Sequence, residues 1–484
     1  MGDNLKQKTV NALKWSTVDR FGQQGVQFFI GIILARLLSP EDFGLLGIIM
    51  IFAALSFVLV ESGFGQALIR KKDATDTDFN TIFYFNIFTS VLLYLILFFL
   101  TPLIAQYFNQ PQLTLIGRVI FIAILFNAFY LVPYTMSVKY MDFKSIAKVN
   151  LIATSLSGFL GVLLAFMHFG IWALVAQQVS FHFFRLIAYR FFVKWKPKLL
   201  FSFGVIREFW GFSINILGIS LLNVLFNNLY VLILGKFYQK NDVGFYTQAN
   251  KLSETFNFSF QQILLGSTYS MFSQIQDDDN RFRRILRDIA KKTSLISIPV
   301  MLVFIAIATP FIFVLLSAKW LPSVPYFQLL CLASLFTPFY ALNSSALNAR
   351  GLSNLTFKLE LIKKALILAS VLACFRFGII TMLWGYVLAC FISYLVSVVY
   401  IKKVIRHYIK NQITDLFSGL LIGTLIAIVA YSLSFVIINN YLLLFAQLVV
   451  AVCVYIIVVK KIQPELYNQV RVFIVDKLKL VKKK

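Results

Sequence analysis

Apolar runs of about 20 residues recur from one end of this chain to the other, and they restrict its fold more than any other feature. A run of that length spans the ~30 Å hydrocarbon core of a bilayer as an α-helix. No connection between the runs exceeds about 20 residues, which excludes a folded enzyme domain outside the membrane. The sequence therefore predicts an all-α integral membrane protein. Its spans, about fourteen in number, centre on residues 14–38, 43–65, 80–103, 115–136, 146–167, 170–192, 209–234, 245–270, 292–316, 324–347, 357–377, 379–400, 414–438 and 441–459.

Basic residues are concentrated in every second connection between these spans. One set of connections is rich in lysine and arginine, as in residues 70–72, 194–198 and 281–292, and the alternate set carries few. Because cytoplasmic loops carry the excess of Lys and Arg, both termini are predicted to be cytoplasmic. The net charge of +25 is then explained by topology and by anionic headgroups, and it requires no nucleic acid. The basic segment 461–484 is predicted to be an amphipathic helix on the inner leaflet.

Two segments of the chain are versions of one another, 200 positions apart. Residues 34–45 and 234–245 each contain an apolar helix end, a basic residue, a polar turn with Asp-x-Gly and the start of another apolar helix. Six spans separate the copies, so the two halves enter the membrane in the same direction and are related by a pseudo-two-fold axis along its normal. The turns are interpreted as the outer hinge of a two-lobed gate. The predicted divisions are an N-lobe at 1–200, a C-lobe at 201–410, two further spans at 411–460 and the tail at 461–484.

Polar side chains form stripes on three of the spans. Span 1 carries Asp19, Gln23 and Gln27 at helical spacing, span 7 carries a pair of asparagines, and span 8 carries a stripe that includes Lys251. Such groups are costly at bilayer depth, about 2.5–3.5 kcal/mol for a central Arg or Asp, so they face a protein interior or a water-filled cavity. The candidate substrate-binding residues are Arg20, Gln24, Gln27, Arg185, Asn223, Asn227, Lys251 and Thr255. The candidate ion-coupling residues are Asp19, Glu61 and Glu254.

Alternative interpretations of these groups stay open. The stripes are also typical of hydrogen bonds that hold helices together. Arg185 lies near Arg190 and could extend its side chain to the cytoplasmic surface. No catalytic or nucleotide-binding motif occurs, so we predict a protein that is not an enzyme and that needs no cofactor or metal.

Three segments resemble a known family. Residues 34–44, 61–70 and 244–252 are similar to the corresponding parts of Wzx-type polysaccharide flippases. These belong to the polysaccharide-transporter branch of the MOP (multidrug/oligosaccharidyl-lipid/polysaccharide) superfamily, which includes the MATE transporters. The resemblance implies two six-helix lobes, two extra C-terminal helices and a cationic cavity, for which Arg20 and Lys251 are the matching candidates. The acidic residues Asp19, Glu61 and Glu254 partly offset that positive charge.

The resemblance also implies the function. We expect export of undecaprenyl-diphosphate-linked oligosaccharide units by alternating access across a bacterial cytoplasmic membrane, for lipopolysaccharide, capsule or exopolysaccharide biosynthesis. A polysaccharide polymerase and glycosyltransferases are the expected partners. The alternatives are a MATE-like drug or cation antiporter, which the acidic Asp19 and Glu61 favour, a lipid II flippase, and a membrane-embedded polymerase or glycosyltransferase.

Overall fold

The computed structural model describes residues 2–276, 278–405, 409–462 and 464, and these residues form α-helices joined by short connections and two short 3-10 helices. No strand occurs among them. The chain forms two compact units, Met1–Thr247 and Gln248–Lys484. Of the predicted amphipathic tail at 461–484, residues 463 and 465–484 lie outside the described part of the chain.

The first unit contains ten helices and the beginning of an eleventh within its described residues. They are α1 (Gly2–Leu37), α2 (Pro40–Glu61), α3 (Phe64–Arg70), α4 (Asp76–Tyr107), α5 (Leu113–Ile120), α6 (Ile122–Lys139), α7 (Phe143–Phe166), α8 (Ile171–Phe192), α9 (Phe203–Asn227), α10 (Leu229–Phe237) and α11 (Lys240–Gln274).

The second unit continues α11 and contains the remaining helices of the described ranges. They are α12 (Asp279–Ala306), α13 (Ala308–Leu316), α14 (Val324–Ser334), α15 (Thr337–Ala349), α16 (Ser353–Cys374), α17 (Ile379–Ile405), α18 (Ile409–Ser432) and α19 (Asn440–Ile462). The 3-10 helices cover Ala318–Ser323 and Leu433–Phe435.

The aspartate of each Asp-x-Gly copy caps the start of a helix. Asp42 accepts a hydrogen bond from the backbone N–H of Ser39 at 2.9 Å, and the Ser39 hydroxyl accepts one from Asp42 N in return. In the second copy Asp242 accepts from the backbone N–H of Gln239 at 3.3 Å. The side chains supply partners for N–H groups near the start of each helix. The repeated aspartate is therefore explained by the two equivalent helix starts, at Pro40 and Lys240.

The first unit is built around α2, α6, α7 and α8. Helix α7 packs along both α1 and α8, and α2 contacts α4, α6, α8 and α9. Small residues allow α1 and α7 to approach closely, because a β-carbon added to Gly158 would overlap Ile30 and one added to Gly22 would lie 3.0 Å from Leu151. This contact determines which side of α1 faces the interior of the unit.

The second predicted span is interrupted near its C-terminal end. Ser62 and Gly63 both adopt left-handed backbone conformations, with φ values of 46° and 73°, and they separate α2 from α3. Glycine is required at the second position because a β-carbon there would lie 2.8 Å from the backbone oxygen of Ser213 on α9. Because α9 packs on α2, α3 and α4, the first compact unit extends past residue 200 to Thr247.

The second unit has α12 against α18, α16 against α17, and α13 against α19 as its main helix pairs. Arg287 of α12 holds the buried carboxylate of Asp415 on α18 through two hydrogen bonds of 3.1 and 3.2 Å. Gly419 lies one turn further along α18, where a β-carbon would lie 2.3 Å from the backbone oxygen of Ser294 on α12. Charge pairing and a small residue thus bring these two helices together.

The prediction of an all-α membrane protein is confirmed. Within the part of the chain that the structure describes, eleven helices or groups of consecutive helices are long and apolar enough to cross a membrane. The predicted spans at 14–38 and 357–377 are not among them, because glutamines interrupt α1 and four charged residues interrupt α16. The predicted span at 245–270 includes residues whose side chains are not described.

Candidate functional site

A guanidinium group lies inside the first unit, surrounded by aromatic rings. Arg185 of α8 lies over the rings of Tyr130, Tyr134 and Phe181, with its Cζ 4.7, 5.7 and 5.5 Å from the three ring centroids. Its Nη1 donates a hydrogen bond of 3.2 Å to the Tyr130 hydroxyl. Its Nε is buried and makes no hydrogen bond within the described part of the chain. The Arg185 side chain packs among these rings, whereas that of Arg190, in the last turn of the same helix, is exposed.

Aromatic stacking holds Tyr130 in place. The Tyr130 ring stacks on Tyr189 with centroids 5.7 Å apart, and its hydroxyl shares a hydrogen bond of 2.8 Å with Nδ1 of His182. His182 in turn stacks on Phe57 of α2 at 4.7 Å. Because α2, α6 and α8 all contribute rings, the position of Arg185 is fixed by three helices.

Two predicted ion-coupling residues lie near this cation. Asp19 of α1 accepts two hydrogen bonds, of 3.0 and 3.2 Å, from the side-chain amide of the buried Asn150 on α7. Glu61 is the last residue of α2, and its side chain is exposed beside the Ser62–Gly63 break. Both carboxylates lie within electrostatic range of Arg185. The structure thus brings together Asp19, Glu61 and Arg185, which are far apart in the sequence.

The other predicted residues of α1 lie on the helix that carries Asp19. Arg20 is exposed and lies within electrostatic range of Asp19, whereas Gln24 is half-buried and Gln27 is exposed. Their spacing of four and then three residues places these side chains along one side of the helix. Polar side chains therefore continue along α1 from Asp19, which lies near Arg185, to Gln27.

The predicted asparagines of span 7 lie on a helix that is interrupted. Asn223 and Asn227 are exposed on α9, which ends at Asn227, and α10 begins at Leu229. The residue between the two helices, Asn228, donates from its side chain to the backbone oxygen of Val224 at 2.8 Å. Irregular backbone at membrane depth is tolerated where it is buried in protein or lines a cavity.

The remaining predicted residues belong to the second unit. Lys251 and Glu254 have exposed side chains, and Glu254 accepts a hydrogen bond of 3.0 Å from the side chain of Asn250. Thr255 donates from its hydroxyl to the backbone oxygen of Lys251 at 2.7 Å. Two residues further along the helix, Asn257 donates to the hydroxyl of Thr337 at 2.8 Å. The polar stripe of α11 thus includes hydrogen bonds that join helices as well as exposed polar groups.

The tyrosines around Arg185 and the amide of Asn150, which binds Asp19, are not among the site residues predicted from the sequence. Tyr130 and Tyr134 are four residues apart on α6, a spacing that places both on one face, and Asn150 lies inside an apolar span. The four-residue spacing of the tyrosines and the polar side chain within an apolar span are the sequence signals that could have indicated these residues. Among the described residues, no group of three or more His, Cys, Asp or Glu side chains is arranged to hold a metal ion.

Comparison with known proteins identifies the family. Residues 33–325, more than half of the chain, match the family model described as "Polysaccharide biosynthesis protein". The chain belongs to this family. The match begins before the first Asp-x-Gly copy and ends after the second, so it includes both helix starts that the repeat predicted.

Two proteins of known name align with this family member over most of its length. The teichuronic acid biosynthesis protein TuaB of Bacillus subtilis is 23% identical over 89% of this chain and 90% of its own. The lipopolysaccharide biosynthesis protein WzxC of Escherichia coli is 24% identical over 90% of this chain and 89% of its own. These relatives confirm the resemblance to Wzx-type proteins.

The fold of this family member is also found in a solved transporter structure. The lipid II flippase MurJ, in an inward closed conformation, superimposes with a TM-score of 0.73 over 94% of this chain and 99% of its own, at 17% identity. At that identity the similarity concerns the fold. The predicted MOP-type helical fold is confirmed.

Proposed function

We propose that this member of the polysaccharide biosynthesis family is a flippase that moves polyprenyl-diphosphate-linked oligosaccharides across the membrane by alternating access. The observation that carries the proposal is the convergence of Arg185, Asp19 and Glu61 inside a helical membrane protein. Charged groups held at membrane depth are expensive, and they mark the route of a polar substrate.

The chemistry of the substrate requires such a route. A diphosphate and a chain of sugars would lose their hydration in hydrocarbon, so they cannot cross it unaided. Cations are needed for the diphosphate, and amides and hydroxyls for the sugars. We assign the first role to Lys251, whereas Arg20 and Arg185, whose charge Asp19 and Glu61 offset, contact the sugars. We assign the second to the neutral candidates Gln24, Gln27, Asn223, Asn227 and Thr255.

The names of similar proteins support this substrate class. TuaB and WzxC are named for the biosynthesis of teichuronic acid and of lipopolysaccharide, and MurJ is named as a lipid II flippase. All three names refer to cell-surface polymers or to a lipid-linked precursor.

The proposal also includes the location, orientation, ion coupling and partners of the transporter. The protein lies in the bacterial cytoplasmic membrane with both termini in the cytoplasm, and it acts as a transporter without catalysing a reaction. Asp19, Glu61 and Glu254 couple transport to an ion. Residues 1–200 and 201–410 act as the two lobes. A polysaccharide polymerase and glycosyltransferases are the partners of the transporter.

Complementation of a gene deletion tests the function. The deletion strain should accumulate polyprenyl-linked oligosaccharide that faces the cytoplasm, and the wild-type gene should clear it. Arg185→Ala should fail to clear it, whereas the matched control Arg190→Ala, an exposed residue in the last turn of the same helix, should succeed. Normal surface polysaccharide in the deletion strain, together with drug sensitivity, would contradict the flippase and support the antiporter.

A further inference from the structure

We propose that the ring of Tyr134 is the surface on which one sugar of the oligosaccharide stacks, and that this part of the first unit binds saccharide while the diphosphate is held elsewhere. The proposal rests on the proposed flippase function, and it specifies which part of the substrate this site contacts. Tyr134 lies on α6 and is not among the residues that the sequence motifs single out.

The position of Tyr134 differs from that of the neighbouring tyrosines. Tyr130 and Tyr189 are 2% and 1% exposed, whereas Tyr134 is only partly buried. Tyr189 packs edge to face with Tyr134, with centroids 6.5 Å apart, and Arg185 lies over the Tyr134 ring. Tyr189 therefore supports the Tyr134 ring from inside the unit, and Tyr134 is the one of the three tyrosines that is only partly buried.

The charges around Tyr134 are balanced. Its hydroxyl lies within electrostatic range of two guanidinium groups, those of Arg185 and Arg20, and of two carboxylates, those of Glu61 and Asp19. Two positive and two negative charges give a net charge of zero. A diphosphate is attracted by an excess of positive charge, so this surrounding does not favour it.

The same groups suit a sugar. A pyranose has an apolar face of C–H groups, which packs on an aromatic ring, and a rim of hydroxyls that both donate and accept hydrogen bonds. The exposed carboxylate of Glu61 accepts such bonds, and the exposed guanidinium of Arg20 donates them. Both lie within electrostatic range of the Tyr134 hydroxyl, so stacking and hydrogen bonding can act on one sugar together.

Binding to the purified full-length protein in nanodiscs tests the proposal with two probes. The first is the repeat-unit oligosaccharide released by mild acid from the host's own polysaccharide, and the second is inorganic pyrophosphate. Tyr134→Leu should weaken oligosaccharide binding about tenfold and leave pyrophosphate binding unchanged, because leucine has no ring. Tyr134→Phe should retain both affinities.

Several outcomes separate the two proposals. If wild-type protein binds the oligosaccharide and Tyr134→Leu binds it equally well, the stacking proposal is wrong and the flippase proposal stands. If Tyr134→Leu weakens the binding of oligosaccharide and of pyrophosphate equally, the stacking proposal is also wrong, because that result indicates a structural role for Tyr134. If wild-type protein binds neither probe and the deletion strain has normal lipid-linked intermediates, the flippase proposal itself fails. Tyr140→Leu, an exposed tyrosine just after α6, is the matched control and should change nothing.

Discussion

Gly44 and Gly244 contact each other's helix start reciprocally. A β-carbon on Gly44 would overlap the backbone oxygen of Lys240, and one on Gly244 would overlap the backbone oxygen of Pro40. The two residues occupy equivalent positions in the two Asp-x-Gly copies, and an ion pair of 2.7 Å between Glu41 and Lys240 lies beside them. The repeat that indicated a duplication in the sequence is also the place where its two copies touch.

Substitution of either glycine should separate these helix starts. Gly44→Ala and Gly244→Ala should each reduce transport at least tenfold, since backbone cannot yield as a flexible side chain can. The measurement is clearance of lipid-linked intermediates in the complemented deletion strain. The control is Gly218→Ala on α9, which has open space at its β-carbon. That change should be neutral or stabilising by about 0.5–1 kcal/mol, because alanine favours a helix. Equal activity of all three variants would show that the close contact is not needed.

Lys71 and Glu208 should differ in their effect on stability although they form one ion pair. Lys71 Nζ lies 3.1 Å from Asp78 and 3.0 Å from Glu208; the Asp78 side chain is 3% exposed and that of Glu208 is 52% exposed. Lys71→Met removes the positive partner of the buried Asp78 and should cost about 2 kcal/mol. Glu208→Gln removes only an exposed partner and should cost less than about 1 kcal/mol. Thermal unfolding in detergent measures both changes, and the reverse order of effects would contradict this account.

The pH dependence of that ion-pair network follows from the pKa of Lys71. Partial burial lowers this pKa, but hydrogen bonds and charge from Glu208 and Asp78 raise it more, so the net direction is upward from 10.5. When the pKa of a lysine is higher in the folded than in the unfolded state, its full contribution to stability is present at any pH below the unfolded-state pKa. That contribution is lost as the pH rises through the folded-state pKa. The stability difference between wild type and Lys71→Met should therefore be constant from neutral pH to about pH 10 and shrink only above it. A difference that shrinks between pH 6 and 9 would exclude Lys71 as its source.

Arg185 should not be replaceable by lysine. The guanidinium is planar and lies over the rings of Tyr130 and Tyr134 while it donates to a hydroxyl, and an ammonium group on a flexible chain does not reproduce this arrangement. We expect Arg185→Lys to lose transport at least tenfold in the complementation assay, with Arg190→Lys unchanged. If Arg185→Lys is fully active, the charge alone is required and the stacking is not.

Arg287 and Lys292 on α12 provide a second comparison of ion pairs. Arg287 holds Asp415, whose side chain is 6% exposed, whereas Lys292 pairs with Asp288 four residues away and both side chains are exposed. Arg287→Ala should lower the free energy of unfolding by about 2 kcal/mol, and Lys292→Ala by less than about 0.5 kcal/mol. Urea or thermal unfolding of each variant checks the order, and equal effects would mean that burial of Asp415 does not matter.

The sequence by itself determined the class of this protein. Apolar runs of spanning length predicted membrane helices because a chain in hydrocarbon must satisfy its backbone hydrogen bonds within itself. The Asp-x-Gly repeat predicted two equivalent helix starts, and each has its aspartate cap in the structure. These conclusions depend on local properties of the chain, which a sequence contains directly.

The tertiary structure alone decided which polar groups meet. Hydropathy shows that Asp19 and Arg185 are costly in lipid, but the direction in which each points depends on the rotation of its helix against its neighbours. The close contacts of Gly22 with Leu151 and of Gly158 with Ile30 turn α1 so that Asp19 meets Asn150. Tyr134, which lies in an apolar span without a motif of its own, joined the site only because packing between helices placed it there.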